Sequence, residues 1–256
     1  VFQTILIFWF KLYQKTWQGF PPNIFLGMRE TLIKGFQVVI ILSMNWWATE
    51  FYTVQAGILS KIENDPSILA AYAVLTSTFS LVWCVNQISM VTAARFVGHQ
   101  VGHLDLLGVR TAEKRTWLVC IPLSTGLCLL WLLFSSYWVE LYTQEERVQE
   151  LVHGSFWIMM ASIYTLGVGS WAQGVLQGLG YLKYPAYFST FSYVFVGQPT
   201  AFVLWKYQGY GLQGIWIGSW VGQIVNTFLQ FFALNVLATP QKLIAERKER
   251  ELLERK

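Results

Sequence analysis

Charge is scarce in this chain of 256 residues: 12% of them are Asp, Glu, Lys or Arg, against roughly 25% in a soluble domain. The deficit excludes an ordinary water-soluble globule and fits a protein surrounded by lipid, from which charge is kept out. Cysteine is almost as rare. Cys84, Cys120 and Cys128 all fall inside apolar runs, and an odd number without metal-like spacing gives neither a disulfide framework nor a zinc site. They read as small buried packing residues. Of three histidines, His99 and His103 stand four apart near Asp105, but no third ligand accompanies them, so no metal is expected. His153, at a span entrance, reads as interfacial. The inner segments hold no nucleophile beside a base and no phosphate-binding loop, which excludes an intramembrane hydrolase and an ATP-driven pump. No cofactor is expected. The net charge of +4 comes from basic residues in short loops and a tail, so no nucleic-acid partner is expected either. A cleavable signal peptide is also lacking. The chain opens with Val1 in an apolar stretch, 1–10, about half the length of a membrane span; it reads as the severed end of a helix, with part of the protein missing.

What is present is apolar: 54% of residues are hydrophobic and 17% aromatic. These residues come in long runs, and a helix crosses the hydrocarbon with about 20 of them. Six segments qualify, 35–59, 68–94, 117–139, 156–176, 184–205 and 212–237, separated by turn and charge signals such as Pro21-Pro22-Asn23 and Asn64-Asp65-Pro66. The expected fold is therefore all-α: a polytopic membrane helix bundle of six complete transmembrane helices plus the end of a preceding one. Residues 1–20 form that end and an inner loop, 21–239 the six-helix lobe, and 240–256 a charged tail. Of the 18 Lys and Arg, all but Lys61, Arg147 and Lys206 fall on one side of the membrane. Retention of basic residues makes that side cytoplasmic, tail included. Trp17, Trp117, Trp138, Trp157 and Trp205 lie near span ends, where an aromatic belt is expected.

Gly214, Gly218 and Gly222 share one face of the last span, and Gly174 and Gly178 repeat the spacing in the fourth. Small residues there let a neighbouring backbone approach closely; a sliding face for conformational change has the same signature. Gly209-Tyr210-Gly211-Leu212-Gln213-Gly214 matches the dinucleotide fingerprint by letter, but no strand precedes it and no acid follows at the required distance. It reads as a turn feeding a helix.

Polar groups inside the spans are the candidate functional residues. Glu50 is the one acid well within a span, and placing a carboxylate there costs about 3 kcal/mol on insertion scales. It is read as a proton or cation site, with a packing role as the alternative. Ten amides follow: Asn45, Gln55, Asn86, Gln87, Gln173, Gln177, Gln198, Gln223, Asn226 and Gln230. Interhelical hydrogen bonds explain any one alone; so many together suggest a wetted central cavity. Trp46 and Trp47 lie in mid-span, where aromatic faces can hold an organic cation or simply pack. Gln198-Pro199 marks a kink. The expected substrate- and ion-binding set is Glu50, Asn45, Trp46, Gln173, Gln177 and Asn226.

These residues carry a resemblance. The stretch 11–19, Lys-Leu-Tyr-Gln-Lys-Thr-Trp-Gln-Gly, resembles the inner end of the sixth helix of eukaryotic-type multidrug and toxic compound extrusion (MATE) transporters. Asn45-Trp46-Trp47-Ala48-Thr49-Glu50 is similar to the seventh-helix pattern Glu-Trp-Trp-x-x-Glu of that family. Gly174-Val175-Leu176-Gln177-Gly178-Leu179-Gly180 resembles the tenth-helix glycine motif, and Gly209 to Gly218 the start of the twelfth. The family's first seventh-helix acid is Asn45 here, an acidic position of the tenth helix is Leu166, and the arginine of the glycine motif is Gln177. The resemblance implies the C-terminal lobe of a twelve-helix protein that is not an enzyme. It also implies a plasma-membrane or vacuolar or vesicular carrier exporting organic cations or other amphipathic compounds by antiport with protons or sodium. A lipid-linked oligosaccharide flippase of the same superfamily and a non-transporting membrane sensor or scaffold are the alternatives.

Overall fold

The computed structural model describes residues 8–11 and 25–241, so the expectations for 1–20 and for the charged tail lie largely outside the described residues. Contacts divide the chain into two units, Val1–Phe36 and Gln37–Lys256, and the bundle belongs to the second. Among the described residues all regular structure is helical. Helix α1 runs Met28–Glu63 and α2 Ser67–Gly102. α3, Leu106–Leu133, is followed across a break at Phe134 by α4, Ser135–Tyr142. α5 runs Glu146–Gly178. α6 (Lys183–Thr190), a π-helical stretch Phe191–Gly197 and α7 (Gln198–Lys206) form one continuous rod. α8, Gly211–Phe232, passes into a second π-helical turn, Ala233–Leu237.

These rods coincide with the six expected spans, but most run further. α1 and α2 have 36 residues each, about 54 Å at 1.5 Å per residue, whereas hydropathy reports only the ~30 Å inside hydrocarbon. Their polar ends continue the helix into water. Among the described residues four helices, Ser67–Gly102, Leu106–Leu133, Glu146–Gly178 and Gly211–Leu237, are long and apolar enough to cross a membrane. α1 falls short because Gln37, Asn45, Glu50 and Gln55 dilute it, and the rod 183–206 because its helix changes register. The third span departs most from expectation. It begins at Leu106, runs through Pro122 and stops at Leu133, and the segment expected as its end is the separate α4.

Local chemistry explains the joints. α5 ends with Gly180 at φ +87°, where Tyr181 N–H reaches Leu176 C=O and Gly180 N–H reaches Gln177 C=O, both at 2.9 Å. That pair of bonds satisfies the last carbonyls and requires a left-handed residue. Pro199 has no N–H, so the carbonyl one turn before it loses its α-helical donor, and the π-helical stretch lies across that turn. The Gly209-x-Gly211 motif is a turn, as expected; both glycines have positive φ, +72° and +53°.

Glycines set the interhelical distances. α2 and α5 form the most extensive pair, followed by α5 with α8 and α7 with α8. A Cβ on Gly174 would collide with the Met90 carbonyl, and one on Gly178 would stand 2.7 Å from the Ala94 oxygen. On α8, a Cβ on Gly218 would run into the backbone of Ala201, and one on Gly222 would sit 3.1 Å from Gly197 Cα. α1 differs, because its backbone makes few close approaches to the other helices. Side chains hold it instead. Gln55 Nε2 donates to Gln198 Oε1 at 2.7 Å, Gln198 Nε2 to the Ala48 carbonyl at 2.8 Å, and Trp205 Nε1 to Gln55 Oε1 at 2.7 Å. Two larger apolar cores result, beside a small cluster of Leu176, Ala233 and Ala238. One, with Leu59, Ile68, Val148 and Ile215, lies toward the α1–α2 turn; the other, with Val97, Val109, Trp171 and Val175, lies toward the α2–α3 turn. Polar groups concentrate in the waist between them.

Candidate functional site

The waist sorts the amides into three groups. Asn86 and Ser124 are helix glue: Asn86 Nδ2 donates to the Ile163 carbonyl at 3.2 Å and Ser124 Oγ donates to Asn86 Oδ1 at 3.0 Å. Gln55 and Gln198 are the α1 clasp described above. The third group is a chain along α8. Asn226 Nδ2 donates to Tyr193 Oη at 3.3 Å, and Gln230 Nε2 donates to Asn226 Oδ1 at 3.2 Å and Gln173 Oε1 at 3.4 Å. Gln173 and Gln177 both point their amide nitrogens at Met90 Sδ, at 3.2 and 3.7 Å. Buried Gln223 and Gln230 each keep an amide oxygen without a hydrogen-bond partner.

A cleft of about 550 Å³, counting its open mouth, adjoins this chain between α1, α2, α5, the π-helical stretch and α8. Trp46, Phe79, Trp83, Tyr52 and Tyr193 give it aromatic walls, while Thr49, Ser80, Ser219 and Gln223 give it polar points. Trp46 and Trp83 meet edge to face with ring centroids 5.8 Å apart, which leaves ring faces available to a ligand. Position matters as much as composition. Trp46 lies at the middle of α1, Trp83 at the middle of α2, and Tyr193 at the middle of the rod 183–206. The cleft is thus at mid-height along these three rods. Trp216 Nε1 and the Gln223 oxygen are buried there or just behind it without hydrogen-bond partners among the described residues. Such groups are costly in a dry interior and are commonly completed by water or a ligand.

The structure brings together some of the expected residues and separates others. Trp46 lines the cleft; Gln173 and Asn226 belong to the amide chain that reaches it through Tyr193, and Gln177 flanks that chain at Met90. The Asn45 side chain is outside the described residues. Glu50 is exposed in this chain and is not among the residues that line the cleft. Ala48 and Tyr52 face inward, about 200° around the helix from Glu50 at 3.6 residues per turn. Trp46, one turn before Glu50 and on its side of α1, is itself half exposed and still lines the cleft. Leu166 does line the cleft, so its apolar side chain occupies a wall where an acid would have put charge. No ionisable carboxylate stands among the cleft's lining residues. His99 and His103 contact each other edge to face at 4.6 Å, and no metal-holding group of three or more ligands occurs among the described residues.

Sequence reasoning missed Tyr52, Tyr72, Trp83, Tyr193 and Trp216. A signal existed. Tyr52, Trp83 and Tyr193 lie well inside spans, away from the interfaces where an aromatic belt accounts for Tyr and Trp.

An all-helical membrane bundle with a polar-aromatic cleft at mid-height has the architecture of a carrier lobe. A family model described as MatE matches residues 37–203. The chain belongs to the MatE family, whose members are transporters and not enzymes. It is 28% identical over 87% of its length to Protein DETOXIFICATION 49 of Arabidopsis thaliana and 26% identical over 81% to Multidrug and toxin extrusion protein 1 of Homo sapiens. It covers 44% and 36% of those relatives, so it spans less than half the length of either. The crystal structure of the eukaryotic MATE transporter AtDTX14 superposes with a TM-score of 0.83 over 94% of this chain and 54% of that one, at 21% identity. At that identity the likeness speaks for the fold.

Proposed function

We propose that this chain forms one lobe of a secondary carrier that exports flat amphipathic organic compounds, organic cations among them, by antiport with protons or sodium. The observation that carries the proposal is the mid-height cleft with Trp46, Trp83 and Phe79 on its walls and Gln223 and Ser219 as polar points. A desolvated cation over such ring faces gains about 2 kcal/mol, and the unpartnered polar atoms supply orientation. Relatives named for multidrug and toxin extrusion support the substrate class. The match to roughly half of each relative supports pairing with a second lobe of the same polypeptide. The lobe comprises 21–239, with 1–20 and 240–256 flanking it, and the basic residues place the tail in the cytoplasm. Coupling would rest on Glu50, the carboxylate within the span region, acting on whatever packs against the outward face of α1. A lipid-linked oligosaccharide flippase is disfavoured because no Lys or Arg lines the cleft.

Efflux of a cationic dye from proteoliposomes containing the full-length protein, with and without an imposed pH or sodium gradient, tests this reading. Gradient-dependent efflux that Trp83→Ala abolishes supports it. Efflux indifferent to both gradients, or none at all, refutes antiport.

A further inference from the structure

A second cavity lies at the opposite end of the bundle from the α1–α2 turn, away from the cleft. It occupies about 840 Å³, counting its mouth, between the start of α3, the last turns of α5 and the end of α8. Its wall combines Arg110 and Glu113 with Trp171 and Phe231, and the π-helical turn Ala233–Leu237 carries Asn235 to its rim. Beneath it Trp117, Trp171 and Phe231 form an aromatic cluster with centroid distances of 4.7 to 6.0 Å. Glu113 is half-buried, and its carboxylate has no hydrogen-bond or ion-pair partner among the described residues; the ion pairs found there belong to Arg147.

We propose that this cavity binds the headgroup of a phospholipid bearing a primary ammonium, such as phosphatidylethanolamine, with the phosphate on Arg110 and the ammonium on Glu113. Arg110 is exposed and sits one helical turn from Glu113 on α3, within electrostatic reach of it but not ion-paired to it among the described residues, so the two present opposite charges side by side. A plain cation would meet repulsion from Arg110, and a plain anion repulsion from Glu113. A zwitterion satisfies both. Depth agrees with this assignment. Arg110, Lys114 and Arg115 stand just outside the apolar part of α3, where phosphates lie, while Trp171, Phe231 and Leu234 offer apolar surface to the acyl chains. An ammonium donor also completes a carboxylate that burial otherwise penalises. The site is independent of the proposed transport cleft, so either can fail without the other.

Native mass spectrometry of the full-length protein in detergent tests the proposal, with phosphatidylethanolamine, phosphatidylcholine, phosphatidylglycerol and soluble phosphoethanolamine as probes. Phosphatidylethanolamine should be retained at least tenfold better than phosphatidylglycerol, which lacks the ammonium, and than phosphatidylcholine, whose ammonium has no N–H. Arg110→Gln and Glu113→Gln should each remove that preference. Equal retention of the three lipids overturns the proposal, as does an unchanged preference in both variants. Competition by soluble phosphoethanolamine as strong as by the lipid overturns the lipid assignment. The comparison of lipids on the unmodified protein decides the matter even if a variant fails to fold.

Discussion

Gly218→Ala isolates what holds α7 against α8. A methyl at that position would run into Cα, Cβ and N of Ala201. Two of those are backbone atoms of a packed helix and the third is a Cβ that no rotation moves, so no side-chain rotation relieves the overlap, and the helices must separate. Overpacking of this kind costs about 1–3 kcal/mol, while replacing a helical glycine with alanine returns up to about 1 kcal/mol. The net loss is about 1–2 kcal/mol, or roughly 2–8 °C in Tm for a chain of this size. Gly126→Ala is the matched control: that glycine is also mid-helix, and nothing stands within 4 Å of its added Cβ. Thermal unfolding of both variants in the same detergent, followed by Trp fluorescence, reads the difference. Gly126→Ala should be neutral or slightly stabilised and Gly218→Ala clearly destabilised. Equal midpoints would refute the claim that the glycine face sets this interhelical distance.

Two other outcomes follow from the packing. Gln198→Leu removes the donor to the Ala48 carbonyl and the acceptor for Gln55. It should raise hydrogen exchange in the middle of α1 at least severalfold while leaving the α2–α5 pair protected; uniform protection would contradict the side-chain clasp. On the loop side, partial desolvation pushes the Asp65 carboxyl up, but hydrogen bonds from Ser67 and the nearby Arg147 outweigh it and hold the group below the ordinary carboxylate range. A depressed value means that the contribution is complete above about pH 4 and disappears as pH falls through the folded value. The Tm gap between the unmodified protein and Arg147→Gln should therefore be constant from pH 8 to 5 and close only in stronger acid. A gap already closing between pH 7 and 5 would contradict the pairing.

Much of the bundle was legible from hydropathy, because lipid exposure leaves long apolar runs whatever the packing. The ends of α1 and α2 were not, since a helix that continues into water carries no apolar signal there. Nor was the division of α3 from α4 at Phe134, where both sides are equally apolar. Gln173 and Asn226 were found because amides in hydrocarbon are costly wherever they point. Glu50 shows the limit of that argument. Its cost in lipid is readable from sequence, but its direction depends on the phase of α1, and apolar residues all round that helix conceal which side meets the bundle. Ala48 and Tyr52 settle the phase only once neighbouring helices are placed. Tyr193 was hidden for a related reason: it enters the cleft from a π-helical stretch whose register an α-helical pattern does not give.

Equilibrium binding of a cationic fluorescent dye to the purified protein tests the mid-height cleft most directly. Trp83→Ala and Gln223→Leu should each weaken binding about tenfold, equivalent to about 1.4 kcal/mol, and Glu50→Gln should leave it within about twofold. Unchanged affinity in both cleft variants, or loss of binding in Glu50→Gln alone, would contradict the assignment.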